Sequence, residues 1–332
     1  MCQKIVDFIN RNESFVLTTH DTPDADGIGA EIALAYVLKQ LKKKVHIINA
    51  SAVPEHFRFQ DPRGISKVWD PEKHGDLPGK SVLIILDTSD EFHIGAMKDI
   101  IPRFQAFMVI DHHELNPHAT MEGYIDPSAA ATCQMVVEIA TAFRITLDRE
   151  SAVAAYAGLN YDSGSFAYSK TTARTFATAK TLVEAGVKPY EIYGELNESA
   201  TTSSLLLQRQ VMSTLELFCQ GRVAVQILRK EDLNSTGARF EDAETFINIP
   251  LKSRDILVSI LIKENSEGPV RCSLRSKGKV NVSKIAQQFS GGGHALAAGF
   301  RSDLNIEKTL EQVLGKVEAA LELSEKPSAE KV

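Results

Sequence analysis

Residues 15–30 read FVLTTHDTPDADGIGA, and this stretch decides the fold. Its first five residues form a short apolar and β-branched run, suited to a strand buried on both faces of a mostly parallel sheet. His20, Asp24 and Asp26 follow at once. Residues 27–41 are then apolar on most sides and lead into Lys42, Lys43 and Lys44, where the end of a helix dipole favours cations. A second apolar run, 45–49 (VHIIN), completes a strand–helix–strand unit, and 82–86 (VLIIL) and 107–110 (FMVI) continue the rhythm. The expected class is α/β, with an open, mostly parallel N-terminal sheet flanked by helices.

The chain has 332 residues, more than one typical core holds, so two domains are expected. Helical patterns dominate from 133 to about 217, with helices expected over 133–143, 151–159, 172–185 and 203–218, the last bridging the domains. A smaller C-terminal α/β domain follows, with strands at 223–227, 256–263 and 270–274 and helices at 282–289 and 306–323. The expected division is a catalytic domain 1–195, a helical linker 196–220, a substrate-binding domain 221–325 and a disordered tail 326–332, with the active site in the cleft between the domains.

Composition narrows the function. The chain is 43% hydrophobic and 24% charged with a net charge of −6, which argues against disorder and against a general basic surface for long nucleic acid. Cys2, Cys133, Cys219 and Cys272 are scattered without zinc-module spacing, which suits a reducing compartment. No apolar stretch approaches the roughly 20 residues needed to span a bilayer. The expectation is a cytoplasmic protein without a membrane partner, and a homodimer.

The informative pattern is where Asp and His fall. His20, Asp24 and Asp26 follow the first strand, Asp87 the VLIIL strand, and Asp111, His112 and His113 the FMVI strand. Open α/β sheets bind ligands outside the carboxyl ends of their strands. Each acid taken singly has an ordinary reading, and Asp26 reads as a cap for the helix 27–41. Jointly they do not, because clustered carboxylates repel unless cations neutralise them. Nitrogen and oxygen donors without thiolate suit manganese, magnesium, iron or zinc. Asp87 is best placed to bridge two metals, with His20 and Asp24 completing one and Asp26 and an adjacent histidine the other. Asp162, in NYDSGSF, adds a further ligand to the second.

Far along the chain, 290–294 read SGGGH, and no Asp or Glu occurs from 268 to 302 although Arg271, Arg275, Lys277, Lys279, Lys284 and Arg301 do. Gly291, Gly292 and Gly293 leave backbone N–H groups open to an anion. Arg275, at a strand end, is suited to clamp a phosphate.

These motifs, HDTPDADGIGA, DTSD, the DHH of IDHHELN, and NYDSGSF, resemble in order those of the DHH phosphoesterase family. SLRSKGKVNVSKIAQQFSGGGHALAAGF resembles its DHH-associated C-terminal domain. Within the family the chain is most similar to the stand-alone oligoribonuclease and 3′-phosphoadenosine-5′-phosphate (PAP) phosphatase group, the nanoRNases. The resemblance implies two divalent ions, manganese by family habit. His20, Asp24 and Asp87 would hold the first, and Asp26, Asp87, His112 and Asp162 the second. His113 would face the phosphate, with Asp111 orienting the histidine pair and Asp87, Asp111 and His113 forming the catalytic group. Arg275, Ser276, Gly291, Gly292, Gly293 and His294 would bind the nucleotide's terminal phosphate or sugar. Ser290 departs from the four-glycine form usual in the motif. The implied activity is hydrolysis of short RNA oligonucleotides to mononucleotides, and of PAP, a nucleotide bisphosphate, to AMP. Cyclic-di-AMP or pApA hydrolysis and a non-catalytic nucleotide sensor are the competing readings.

Overall fold

The computed structural model describes residues 3–114, 121, 123–264 and 268–325, so the tail expected at 326–332 lies outside the described residues. The chain divides into two compact units, Met1–Ser199 and Ala200–Val332.

The first unit is a six-stranded sheet in the order β3-β2-β1-β4-β5-β6, with every pairing parallel. Its strands are β1 (Ser14–Thr18), β2 (Lys44–Asn49), β3 (Ser66–Val68), β4 (Val82–Leu86), β5 (Phe107–Asp111) and β6 (Gly123–Ile125). All five residues of β4 are buried, as its unbroken apolar run requires. From β1 the chain works outward through β2 and β3, and from β4 outward through β5 and β6. The order therefore reverses between β1 and β4, which is where such sheets open a ligand crevice.

Helices α1 (Gln3–Arg11), α2 (Ala25–Gln40), α3 (Pro71–His74), α4 (Thr132–Ala142), α5 (Arg149–Asp162), α6 (Ala173–Glu184) and α7 (Pro189–Asn197) complete the unit. Helix α2 is buried nearly all round because α4 and α5 pack on it as well as the sheet. Two glycines permit this approach. A Cβ on Gly29 would lie 2.3 Å from the Ala154 carbonyl oxygen, and one on Gly158 would lie 2.5 Å from Cys133 Sγ.

The second unit is a mixed sheet in the order β11-β12-β10-β9-β8-β7. Its elements are α8 (Thr202–Ser213), β7 (Glu216–Phe218), β8 (Val223–Leu228), α9 (Lys230–Thr236), β9 (Val258–Lys263), β10 (Val270–Ser276), α10 (Val282–Gln287), β11 (Gly292–His294), β12 (Ala297–Ser302) and α11 (Ile306–Glu325). One face packs on α10 and α11 through Val313, Val317 and Leu321. The other carries a smaller cluster in which Leu207 and Val211 of α8 meet Leu228 and Leu261.

The structure changes one of these expectations and explains a second feature. The helix expected over 203–218 stops at Ser213, and Glu216–Phe218 is instead an edge strand antiparallel to β8, reached through a turn with left-handed backbone at Cys219 and Gln220. Gly292 and Gly293 lie in the short edge strand β11, antiparallel to β12. Ser290, which departs from the four-glycine form, has φ +58, the left-handed conformation that glycine adopts at least cost.

Candidate metal centre

Each strand end delivers a donor because the chain must turn there into the next helix. Asp24, and not Asp26, caps α2, its Oδ1 accepting from the Asp26 and Gly27 backbone N–H groups at 2.9 and 3.1 Å. Asp26 sits in the first helical turn, fully buried. Asp87 leaves β4 with φ +65, an uncommon backbone for a non-glycine residue and one found at sites that hold a side chain in a set direction. Asp162 is the last residue of α5, which runs three residues past its expected end.

These side chains converge. Three groups place their donor atoms within 4.8 Å of one another: His20, Asp24 and Asp87; Asp26, His112 and Asp162; and Asp87, His112 and His113. Asp87 is shared between two of them by different oxygens. Oδ2 lies 3.7 Å from His20 Nε2, whereas Oδ1 lies 3.5 Å from His112 Nε2 and 3.8 Å from His113 Nδ1. His20 Nε2 is 3.6 Å from Asp24 Oδ1. His112 Nε2 lies 2.9 Å from Asp162 Oδ2 and 3.9 Å from Asp26 Oδ2, yet in no orientation that makes a hydrogen bond. That buried nitrogen aims at a point it shares with three carboxylates. Asp111 stands behind, its Oδ1 accepting from His113 Nδ1 at 2.7 Å and from the His113 backbone N–H at 3.1 Å.

The electrostatics call for positive charge. Burial, then repulsion from Asp87 and Asp162, pushes the Asp26 carboxyl well above the usual range. Burial raises Asp162 too. Burial works against a charged His20, but Asp24 and Asp87 outweigh it and lift the ring to about 11. The same contest at His112, with Asp162, Asp87 and Asp26 as the anions, ends at about 10. Four carboxylates and two histidines that gather cationic charge, with one buried nitrogen left without a hydrogen bond, fit divalent cations held by mixed nitrogen and oxygen donors.

Sequence reasoning missed the scaffold behind these donors. The first turn of α4 grips Asp26: Cys133 N–H donates to Oδ1 at 2.9 Å and Thr132 N–H to Oδ2 at 2.5 Å. Thr132 Oγ1 also donates to Asp87 Oδ1 at 2.9 Å. Lys170 Nζ donates to the His112 carbonyl at 3.2 Å. Such outer partners set the direction of the ligands they hold. A threonine at the start of a helix was the available signal, but nothing local tells which carboxylates it meets.

The second unit holds the remaining expected residues. Arg275 is half-buried on β10, directly across from Ala297 of β12. The buried Ser276 hydroxyl accepts from the Gly278 N–H at 3.1 Å. Gly291 and Gly293 pack against β12, where a Cβ would come within 2.3 Å of the Gly299 carbonyl and 2.5 Å of the Ala297 carbonyl. These two glycines are thus required by strand packing. The His294 side chain lies outside the described residues.

Comparison with known proteins agrees with this anatomy. Residues 14–159 match the model of the DHH family, N-terminal domain, and residues 220–323 match the DHHA1 domain. The chain is 30% identical over 307 residues to the bifunctional oligoribonuclease and PAP phosphatase NrnA of Thermus thermophilus, covering 92% of this chain and 89% of that protein. It is 22% identical to the cyclic-di-AMP phosphodiesterase PdeA of Listeria monocytogenes, covering 96% of this chain and 49% of that protein. Among solved structures, an exopolyphosphatase-related protein from Bacteroides fragilis superposes with a TM-score of 0.90 at 25% identity, covering 96% of this chain and 97% of that one. Acidic and histidine donors gathered at the strand ends of one unit, followed by a glycine-bearing sheet in the next, place the chain in the DHH phosphoesterase family as a DHH–DHHA1 hydrolase.

Proposed function

We propose that the protein hydrolyses short oligoribonucleotides to mononucleotides, and PAP to AMP, with two manganese ions as cofactor. The observation that carries this reading is Asp87, whose two carboxylate oxygens face different donor groups, as a carboxylate bridging two cations would. His20, Asp24 and Asp87 would hold one ion, and Asp26, Asp87, His112 and Asp162 the other. Bound divalent ions supply charge opposite the phosphoryl oxygens and lower the pKa of water from 15.7 towards neutrality.

The chain's own groups account for the rest. Asp111 takes the Nδ1 proton of His113 into a hydrogen bond, which fixes the ring and leaves Nε2 to give a proton to the leaving oxygen. Thr132 and the first turn of α4 keep Asp26 and Asp87 aimed while charge develops. Arg275, Ser276, the glycines 291–293 and His294 bind the terminal phosphate or sugar of the nucleotide. The names of the relatives from Thermus thermophilus and Listeria monocytogenes support a nucleotide substrate and define the panel to compare.

The test is manganese-dependent release of mononucleotides from a diribonucleotide, run beside PAP, pApA and cyclic-di-AMP. Asp87→Asn, which preserves side-chain shape and tolerates a left-handed backbone, should abolish turnover. Wild-type turnover by this variant would end the two-ion reading, and preference for cyclic-di-AMP or pApA would move the substrate assignment to that class.

A further inference from the structure

We propose that Asn49 is a positioning residue of the metal centre, fixing the end of β1 from which His20 reaches the first ion. This rests on the two-ion reading above and adds to it a side chain outside the three donor groups. The β1–β2 ladder ends at Leu17 opposite Ile47, and the β1–β4 ladder at Thr18 opposite Ile85. Thr19, immediately before His20, therefore lies past both ladders, and it is fully buried. Its backbone N–H donates to Asn49 Oδ1 at 3.1 Å, and the Thr18 hydroxyl donates to the same oxygen at 3.2 Å. Buried backbone N–H groups need such a partner, and here a side chain supplies it in place of a strand.

The Asn49 amide has no freedom to turn. A backbone N–H can only donate, so the atom that faces Thr19 must be the oxygen. Nδ2 then points the other way, donating to Glu31 Oε2 at 2.9 Å and to Ser66 Oγ at 3.1 Å. All four hydrogen-bonding positions of the amide are engaged, and together they tie β1 to α2 and β3. Asn49 and Glu31 are both fully buried, so water cannot stand in for either.

The same short segment is pinned on its other sides. Thr19 Oγ1 donates to the Leu86 carbonyl at 2.9 Å, one residue before Asp87. Beyond His20, the Asp21 N–H donates to the His93 carbonyl at 2.6 Å. A Cβ on Gly27 would stand 2.3 Å from Thr19 Oγ1, so the first turn of α2 closes over the threonine. Two donors of the first group, His20 and Asp87, are thus linked through Thr19, and Asn49 orients Thr19. The second group is held from elsewhere: Asp26 by the first turn of α4, and the His112 carbonyl by Lys170. A change at Asn49 therefore reaches the first ion and spares the second.

The experiment titrates manganese into the metal-free full chain by calorimetry, beside urea unfolding in EDTA followed by fluorescence. The wild type should show two binding events, and His20→Ala, which removes a donor, identifies the event of the first ion. Asn49→Leu, close in shape but without the oxygen, should weaken that event at least about tenfold and leave the other within about twofold. Asn49→Ala, which is smaller, should do the same and serves if the leucine variant does not fold. Asn49→Asp keeps an oxygen for the Thr19 N–H, and one proton shared with Glu31 replaces the amide donor. Both events should then stay within about threefold of the wild type. Ser14→Ala breaks the 2.8 Å contact between the Ser14 and Ser81 hydroxyls at the opposite end of β1 and should alter the unfolding transition alone. Equal weakening of both events by the Asn49 variants, or lowered unfolding stability with both events intact, would overturn the positioning role. A wild type without two binding events would bring down the two-ion reading itself, and the positioning role with it.

Discussion

Replacing Glu31 by Gln should flatten the pH dependence of the first unit's stability. Glu31 lies on α2, fully buried. Burial raises its carboxyl from 4.5 to about 8, and the hydrogen bond from Asn49 Nδ2, 2.9 Å from Oε2, offsets only part of that. The other oxygen has no hydrogen-bond partner among the described residues. In the unfolded chain the acid ionises near 4.5, while in the folded chain it stays neutral to about 8. The folded state therefore binds the extra proton across that window. The stabilisation is complete below pH 4.5 and is lost as pH rises towards 8, at up to about 1.4 kcal/mol per pH unit. From pH 5.5 to 7.5 the wild type should lose about 2.5 kcal/mol that Glu31→Gln, which keeps an oxygen for Asn49, does not lose. The chain has a single tryptophan, Trp69, and it lies in the first unit, so urea unfolding followed by its fluorescence reads this unit. EDTA removes any contribution from bound ions. A stability difference between wild type and variant that stays constant across the window would refute the argument, because Glu31 would then ionise as freely folded as unfolded.

The scaffold gives further outcomes. Thr132→Val removes the hydroxyl that holds Asp87 Oδ1 and should weaken manganese binding, read by calorimetry, by about 10-fold or more; Thr132→Ser should bind as the wild type does, and equal binding by all three would remove Thr132 from the site. Gly29→Ala drives a methyl into the Ala154 carbonyl and should cost about 1–3 kcal/mol in the Trp69-monitored transition. Manganese at 100 times its Kd should stabilise the same transition by about 2.7 kcal/mol. Asp87→Asn should erase most of that gain, and a full gain in the variant would place the ion elsewhere.

Much of this was legible in the sequence because buried parallel strands write themselves as unbroken apolar runs. VLIIL is β4 residue for residue, and the donors that follow such runs had to emerge at one edge. The three-residue edge strands SKV, GYI and ELF have no such signature, since each exists through the partner beside it. The helix expected over 203–218 runs too long for the same reason: TLELF after Ser213 continues a helical pattern, and pairing with β8 decides otherwise. At the metal centre the carboxylates and histidines were readable one by one. That Asp24 caps α2 while Asp26 is gripped by Thr132 and Cys133 depends on α4 docking over a hundred residues later. Glycines 291 and 293 looked made for an anion, and packing against β12 already demands them.

Every donor of the three groups lies between His20 and Asp162, and the first unit closes at Ser199. On the ribosome, where domains fold from the N-terminus as they emerge, the four mutually repelling carboxylates belong to the half of the chain that is made first. A cation bound among them would stabilise the newly made first half before the second is complete.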